Sequence, residues 1–178
     1  SPQMIFSIIQ DKIGNIWFGT DKRAYRYDGS TLTDLSEMDG LCGDFVTSII
    51  EDRSGNIWFG TTGGLCKYDA SIPDAEGRGH FTTFNADDGL SSFFVWTLYQ
   101  DRAGNIWIGM AGGGLARYDG VKFTSYAESD GLGSKHIQSI LEDAKGQLWF
   151  GASGGVYRFD GSRFTNFTKE DALGAGVQ

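Results

Sequence analysis

The sequence predicts an all-β chain made of four copies of one unit, and three observations carry that prediction. The segment Asp11-Lys-Ile-Gly-Asn-Ile-Trp-Phe-Gly-Thr20 returns, lightly varied, as Asp52–Thr61, Asp101–Met110 and Asp143–Ala152. Its tryptophans, Trp17, Trp58, Trp107 and Trp149, stand 41, 49 and 42 residues apart, a spacing that belongs to repeat architectures. Glycine is 27 of 178 residues and proline only two, which suits many tight turns between short strands. Four antiparallel strands per unit of about 40–45 residues make one blade, and blades stacked around an axis make a β-propeller.

Each unit resolves into four segments when aligned on its tryptophan. The first is Ile5–Gln10, matched by Val46–Glu51, Val95–Gln100 and Ile137–Glu142. These β-branched and aromatic runs are apolar on both faces, as expected of a strand buried near the middle of an assembly. An Asp-x-x-Gly tetrad then closes a hairpin, with Gly14, Gly55, Gly104 and Gly146 supplying the residue that tolerates positive φ. Strand two carries the tryptophan, large and rigid enough to pack one sheet on the next.

The third segment is Ala24–Asp28, Leu65–Asp69, Leu115–Asp119 and Val156–Asp160. Here Arg26, Lys67, Arg117 and Arg158 take one face and an aromatic neighbour takes the other. Asp28-Gly29, Asp119-Gly120 and Asp160-Gly161 are hairpin signals. The fourth segment is Thr31–Leu35, Phe81–Phe84, Phe123–Tyr126 and Phe164–Phe167, each followed by Asp39-Gly-Leu41, Asp88-Gly-Leu90, Asp130-Gly-Leu132 or Asp171-Ala-Leu173 as the crossover to the next unit. The blades expected are residues 3–41, 42–90, 91–132 and 133–173, within a single propeller domain or propeller fragment over 1–178. Unit two departs by an inserted polar stretch, Ser71–Gly79, expected to be an exposed loop.

Composition narrows the partners. A chain that is 40% hydrophobic and 14% aromatic can fill a core. A net charge of −8 and a pI near 4.6 are the wrong sign for phosphate, so neither nucleic acid nor direct membrane binding is expected. No apolar run approaches spanning length, and the first residues lack the basic and apolar regions of a signal peptide. Cys42 and Cys66 sit at non-equivalent positions of the repeat, too few for a zinc site. Two free, buried or half-buried thiols are expected, with a single disulfide as the alternative in an oxidising compartment.

The pattern Val-x-Ser-Ile-x-Glu-Asp-x-x-Gly-Asn-Ile-Trp-Phe-Gly-Thr-x-x-Gly-Leu-x-x-Tyr-Asp-Gly, then Phe-Thr-x-Phe, then Asp-Gly-Leu, resembles the two-component-regulator propeller repeat. It is nearest over residues 46–69, 81–90 and 95–132, and the four units cover nearly the whole chain. The resemblance implies an extracytoplasmic sensor region of a bacterial hybrid two-component system, hence a periplasmic or extracellular place. It also implies membership of longer arrays that build seven-bladed rings. Four blades are the low end for a closed propeller. An unclosed array would expose two apolar faces, so a small closed ring, two chains forming an eight-bladed ring, or further propeller blades are expected, with self-association favoured.

What recurs in every blade is scaffold, so chemistry is sought where the units differ. The Asp-x-x-Gly-Asn tetrads have no EF-hand spacing, and four equivalent copies point to a turn. No catalytic residue, metal site or cofactor emerges. A second resemblance, to streptogramin lyases with their Gly-x-Ile-Trp-Phe repeats, would need His136 as acid or base.

The crossovers into each inner strand and the loops between strands two and three should open on one end of the propeller, and they vary on a constant frame, as functional loops do. From these positions Lys22, Arg23, Asp44, Phe45, Phe93, Phe94, Trp96, Lys135 and His136 are the candidate ligand-binding residues. Flat aromatic surface beside polar donors suits a small-molecule ligand, a carbohydrate in particular. The alternative is that Phe45, Phe94 and Trp96 plug a narrow channel.

Overall fold

The structure is a computed structural model that describes residues 3–35, 40–72 and 79–170. Most of the Ser71–Gly79 insertion, together with Asp39 and Asp171–Leu173, lies outside the described residues. Four sheets follow one another along the chain, each of four antiparallel strands in sequence order. Blade 1 holds β1 (Ile5–Gln10), β2 (Ile16–Thr20), β3 (Ala24–Tyr27) and β4 (Leu32–Asp34). Blade 2 holds β5 (Val46–Glu51), β6 (Ile57–Thr61), β7 (Gly64–Asp69) and β8 (His80–Phe84). Blade 3 holds β9 (Val95–Gln100), β10 (Ile106–Met110), β11 (Leu115–Tyr118) and β12 (Phe123–Tyr126). Blade 4 holds β13 (Ile137–Glu142), β14 (Leu148–Ala152), β15 (Gly155–Phe159) and β16 (Phe164–Asn166), followed by the short helix α1 (Phe167–Glu170).

The repeated tetrad is a hydrogen-bonding device. In blade 1, Asp11 Oδ1 accepts from the Asn15 amide at 2.8 Å, and Asp11 Oδ2 accepts from Trp17 Nε1 at 2.7 Å. The same indole bond joins Asp52 to Trp58 at 2.8 Å, Asp101 to Trp107 at 2.8 Å and Asp143 to Trp149 at 2.9 Å. A buried indole N–H needs such a partner. The turn is closed by Gly14, Gly55, Gly104 and Gly146 at φ of 98°, 87°, 95° and 80°, conformations that glycine alone adopts cheaply. Burial pushes the Asp11 carboxyl up, but the bonds from Trp17, Asn15 and Ile13 outweigh it and hold the group below the usual carboxylate range.

Three apolar clusters form between blades, not within them. Trp17 with Ala24 and Leu35 packs on Ile49, Phe59, Tyr68 and Phe81 of blade 2. Trp58 and Leu65 of blade 2 meet Leu98, Ile106, Ile108 and Ala116 of blade 3, and Trp107 and Leu115 meet Phe150, Tyr157 and Phe159 of blade 4. Blade faces are therefore of two kinds, a tryptophan face and a phenylalanine–tyrosine face, always paired unlike to unlike. The next blade comes so close to strand two that a Cβ on Gly19 would collide with Val46 Cγ1 and one on Gly60 would lie 2.7 Å from Val95 Cγ1, which explains the glycine after Trp-Phe in the first two units.

Two expectations are corrected. Cys42 and Cys66 are not free thiols but a disulfide, with Cα atoms 5.8 Å apart. The crossover that leaves blade 1 turns back along β7 of the blade it is about to build, and the Cys42 amide donates to Cys66 Sγ at 3.2 Å. Positions unlike in the repeat are thus neighbours in space. Reduction, or a Cys42→Ser/Cys66→Ser variant, is expected to cost about 3 kcal/mol for a loop of this length, read as a lowered guanidinium midpoint.

The burial of every first strand is the other. β1 packs on β5, β5 on β9 and β9 on β13, but β13 and β1 do not pack together. β1, expected to be buried on both faces, is instead largely exposed, since no described blade covers its outer face.

Candidate functional site

One end of the array gathers the variable loops, and a recurring bond explains why. The residue after strand two donates its amide to the residue before strand one: Asp21 to Met4 O at 3.1 Å, Thr62 to Phe45 O at 3.1 Å, Ala111 to Phe94 O at 2.9 Å and Ser153 to His136 O at 3.2 Å. Each crossover is thereby stitched to the strand two–three loop of its own blade, as the sequence leads one to expect.

Just inside that stitch each inner strand carries a bulge. The register skips one residue between Ile5 and Ser7, between Val46 and Ser48, and between Ile137 and Ser139, and β9 skips likewise opposite Gly109 and Met110. The skipped residues are Phe6, Thr47, Trp96 and Gln138. A bulge removes its residue from the ladder and re-aims the side chain.

Around these bulges the candidates divide. Phe94 and Trp96 form a tilted pair at 5.4 Å, and Phe45 pairs with Phe6 at 4.6 Å. Phe93 is 73% exposed. Trp96, His136, Gln138 and Ser153 line a small cavity of about 100 Å³ between blades 3 and 4, with Met110, Ala111 and Ile137 at its floor. Lys135 borders a larger concavity of about 390 Å³ behind the same crossover, rimmed by Gly112–Gly114, Tyr126 and Ser134. Asp44 is exposed at the crossover into blade 2.

Lys22 and Arg23 do not join the cluster. Arg23 forms an ion pair with Asp34 on the outermost strand of blade 1, which draws it away from the inner strands. The structure therefore brings together Phe94, Trp96 and His136, leaves Phe45 in a separate pair, and places the blade 1 cations elsewhere. Gln138 and Phe6 were not candidates. Comparing the second position of the first strand across units, where Phe, Thr, Trp and Gln stand in turn, is the signal that would have found them.

The His136 imidazole makes no hydrogen bond among the described residues, and the lining of its cavity contains no carboxylate. No group of three His, Cys, Asp or Glu side chains able to hold a metal occurs among the described residues. The cavity is smaller than the roughly 300–1,000 Å³ usual for enclosed ligands, so a larger ligand would lie across the open aromatic surface.

Residues 1–22, 40–63, 89–112 and 131–154 match the Two component regulator propeller family, more than half of the chain. The chain belongs to that family. No curated protein matches this regulator propeller in sequence. Among solved structures, it is similar to the extracellular domain of a protein assigned as a hybrid two component system in B. thetaiotaomicron, at 19% identity and a TM-score of 0.50, covering 93% of this chain and 31% of that one. It is similar to virginiamycin B lyase from Staphylococcus aureus at 17% identity and a TM-score of 0.63, covering 92% and 55%. It is also similar to PorZ, a surface component of the type-IX secretion system of Porphyromonas gingivalis, at 14% identity and a TM-score of 0.63, covering 87% and 24%. At such identities the likeness is one of fold. This regulator propeller spans less than a third of that extracellular domain and about half of the lyase.

Proposed function

We propose that this regulator propeller is a non-enzymatic ligand-sensing module that works in the periplasm or outside the cell. Its ligand lies across the blade 3–blade 4 end of the inner strands, and oligosaccharide is the class that fits best. The observation that carries the reading is the bulge series: the inner-strand position that differs most between units is also the one turned out of the ladder beside the stitched loops. Phe93, Phe94 and Trp96 offer flat apolar rings for sugar faces, while His136, Gln138, Ser153 and Lys135 offer hydrogen-bonding groups for hydroxyls. The Cys42–Cys66 disulfide supports an oxidising compartment, and no helix among the described residues is long and apolar enough to cross a membrane.

Titration calorimetry with a panel of oligosaccharides tests this. Trp96→Ala and His136→Ala are expected to weaken binding about tenfold or more, equivalent to about 1.4 kcal/mol, and Lys22→Ala to leave it unchanged. No binding by any glycan, or affinity untouched by Trp96→Ala, would remove the proposal. A second reading, a lyase, is favoured by the fold shared with virginiamycin B lyase and by His136 at the same end. It predicts turnover that His136→Ala abolishes, a result that would replace the sensor reading.

A further inference from the structure

Blade 3 breaks the repeat at the loop between β10 and β11. Trp107 and Arg117 stand ten residues apart, whereas Trp17 and Arg26, Trp58 and Lys67, and Trp149 and Arg158 each stand nine apart. The extra residue makes Gly112-Gly113-Gly114 out of the Gly-Gly found in units two and four. The residue that opens the loop changes too. In blades 1 and 2 it is a buried threonine whose hydroxyl takes up loop amides: Thr20 Oγ1 accepts from Lys22 N at 3.1 Å and Arg23 N at 2.8 Å, and Thr61 Oγ1 from Gly63 N at 3.0 Å. In blade 3 it is Met110, which has no hydroxyl to offer. Ala152 has none either, but blade 4 keeps the shorter loop.

The longer loop is held by its carbonyls. Ser92 Oγ donates to Ala111 O at 3.1 Å, Ser91 Oγ to Gly113 O at 2.6 Å and Met110 N to Gly114 O at 2.9 Å. The incoming crossover lies so close that a Cβ on Gly113 would stand 2.5 Å from Ser92 Cβ, and Gly114 N donates to Lys135 O of the outgoing crossover at 2.9 Å. The loop is thus fixed on both sides, yet the amides of Gly112 and Gly113 make no hydrogen bond among the described residues. Successive backbone N–H groups in such a turn form a binding place for an anion. The concavity of about 390 Å³ that these glycines rim has room for one sugar-sized group. Two charged side chains line it, Lys135 and, just after β12, Glu128, and neither has an ion-pair partner among the described residues.

We propose that this glycine loop is an oxyanion site that takes the carboxylate of an acidic sugar residue, with Lys135 as its counter-charge and Glu128 as the acceptor for hydroxyls of the same ring. That the ligand is a sugar rests on the ligand reading above; that the loop binds a carboxylate does not. Lys135 stands on the crossover next to His136, so a chain lying across Trp96 and His136 reaches the loop by passing over that crossover. Glu128 sets the charge limit of the site, because a doubly charged group such as phosphate is repelled more strongly than a single carboxylate.

Titration with glucuronate, followed by the amide resonances of Gly112 and Gly113, tests this, with glucose as the uncharged counterpart. Glucuronate is expected to move both resonances and to bind about tenfold more tightly than glucose, in keeping with hydrogen bonds to a charged acceptor. Lys135→Ala should weaken glucuronate about tenfold, and Glu128→Gln should strengthen it. Deleting Gly112 restores the spacing of the other units and should abolish the preference for glucuronate. The unfolding midpoint shows whether that variant is folded, and the two side-chain variants, both at exposed positions, decide the matter if it is not. Equal affinity for glucuronate and glucose, glycine resonances that stay in place, or a preference that survives Lys135→Ala would each overturn the proposal. Neutral oligosaccharides that bind through Trp96 while glucuronate gains nothing over glucose would remove this site and leave the sensing reading intact. Glucuronate bound at the glycines of a protein that binds no oligosaccharide would keep the oxyanion site and remove the sensing reading.

Discussion

Trp107→Ala is expected to destabilise the chain by about 3–5 kcal/mol, the range for emptying a large aromatic site. Trp107 is 1% exposed, stacks on Tyr126 at 5.5 Å, and meets Phe150 and Phe159 of blade 4 at 5.4 and 5.6 Å. Its removal opens a cavity between two sheets that share no strand, so neither can collapse to fill it alone. Guanidinium unfolding measures the loss. Trp149→Ala is the control: Trp149 is half-buried and, among the described residues, pairs with the Phe167 ring at 5.1 Å. About 1–2 kcal/mol is expected there, in line with partial burial. Equal losses at both positions would mean that packing between blades is not what the tryptophans supply.

Asp52→Ala is expected to cost about 3 kcal/mol, because it strands several donors at once. The carboxylate accepts from the Ser54 and Asn56 amides at 2.9 Å each, from Asn56 Nδ2 at 2.9 Å and from Trp58 Nε1 at 2.8 Å. Asp52→Asn keeps the shape but turns one acceptor into a donor, and about 2 kcal/mol is expected. Combined with Trp58→Phe, the two losses should be less than additive, since the second change removes the donor that the first strands.

The same bonding has a pH signature in the outer blades. The bond from Trp149 Nε1, then the Gln147 amide, holds the Asp143 carboxyl below its ordinary value, and the donors around Asp11 do the same there. Groups whose folded pKa lies below the unfolded value of about 3.9 stabilise fully above that pH. Their contribution fades as pH falls through the folded values. An acid titration of Asp11→Asn should show a smaller loss of stability below about pH 4 than the native chain.

The fold was legible because the same residues recur where the same contacts are made. Each tryptophan, each tetrad and each apolar first strand repeats, and the four sheets take up those segments nearly residue for residue. Even the Asp-Gly turns were visible, although Asp28 stands before the turn and not in it: its Oδ1 accepts from the Ser30 and Thr31 amides at 2.9 and 2.7 Å, which lowers its pKa to about 2. What repetition hid was anything made between unlike positions. Cys42 and Cys66 meet only because a crossover doubles back on β7. The unclosed ends could not be read from a blade count, since closure depends on whether β13 reaches β1. Trp96 drew notice as a tryptophan out of pattern, whereas Gln138 at the same bulge looked like an ordinary polar residue in a strand.

The bulges described above also separate two kinds of constraint within a single strand. A residue outside the ladder can change size and polarity without shifting its neighbours' backbone bonds, and Phe6, Trp96 and Gln138 already show that latitude. Thr47 is the exception, tied by its hydroxyl to Gly60 O and Val95 O at 2.9 and 2.7 Å. The framework is thus robust to variation at the very positions that face the solvent end. A lineage of such blades can vary the side chains at this end by single substitutions that leave the ladder intact.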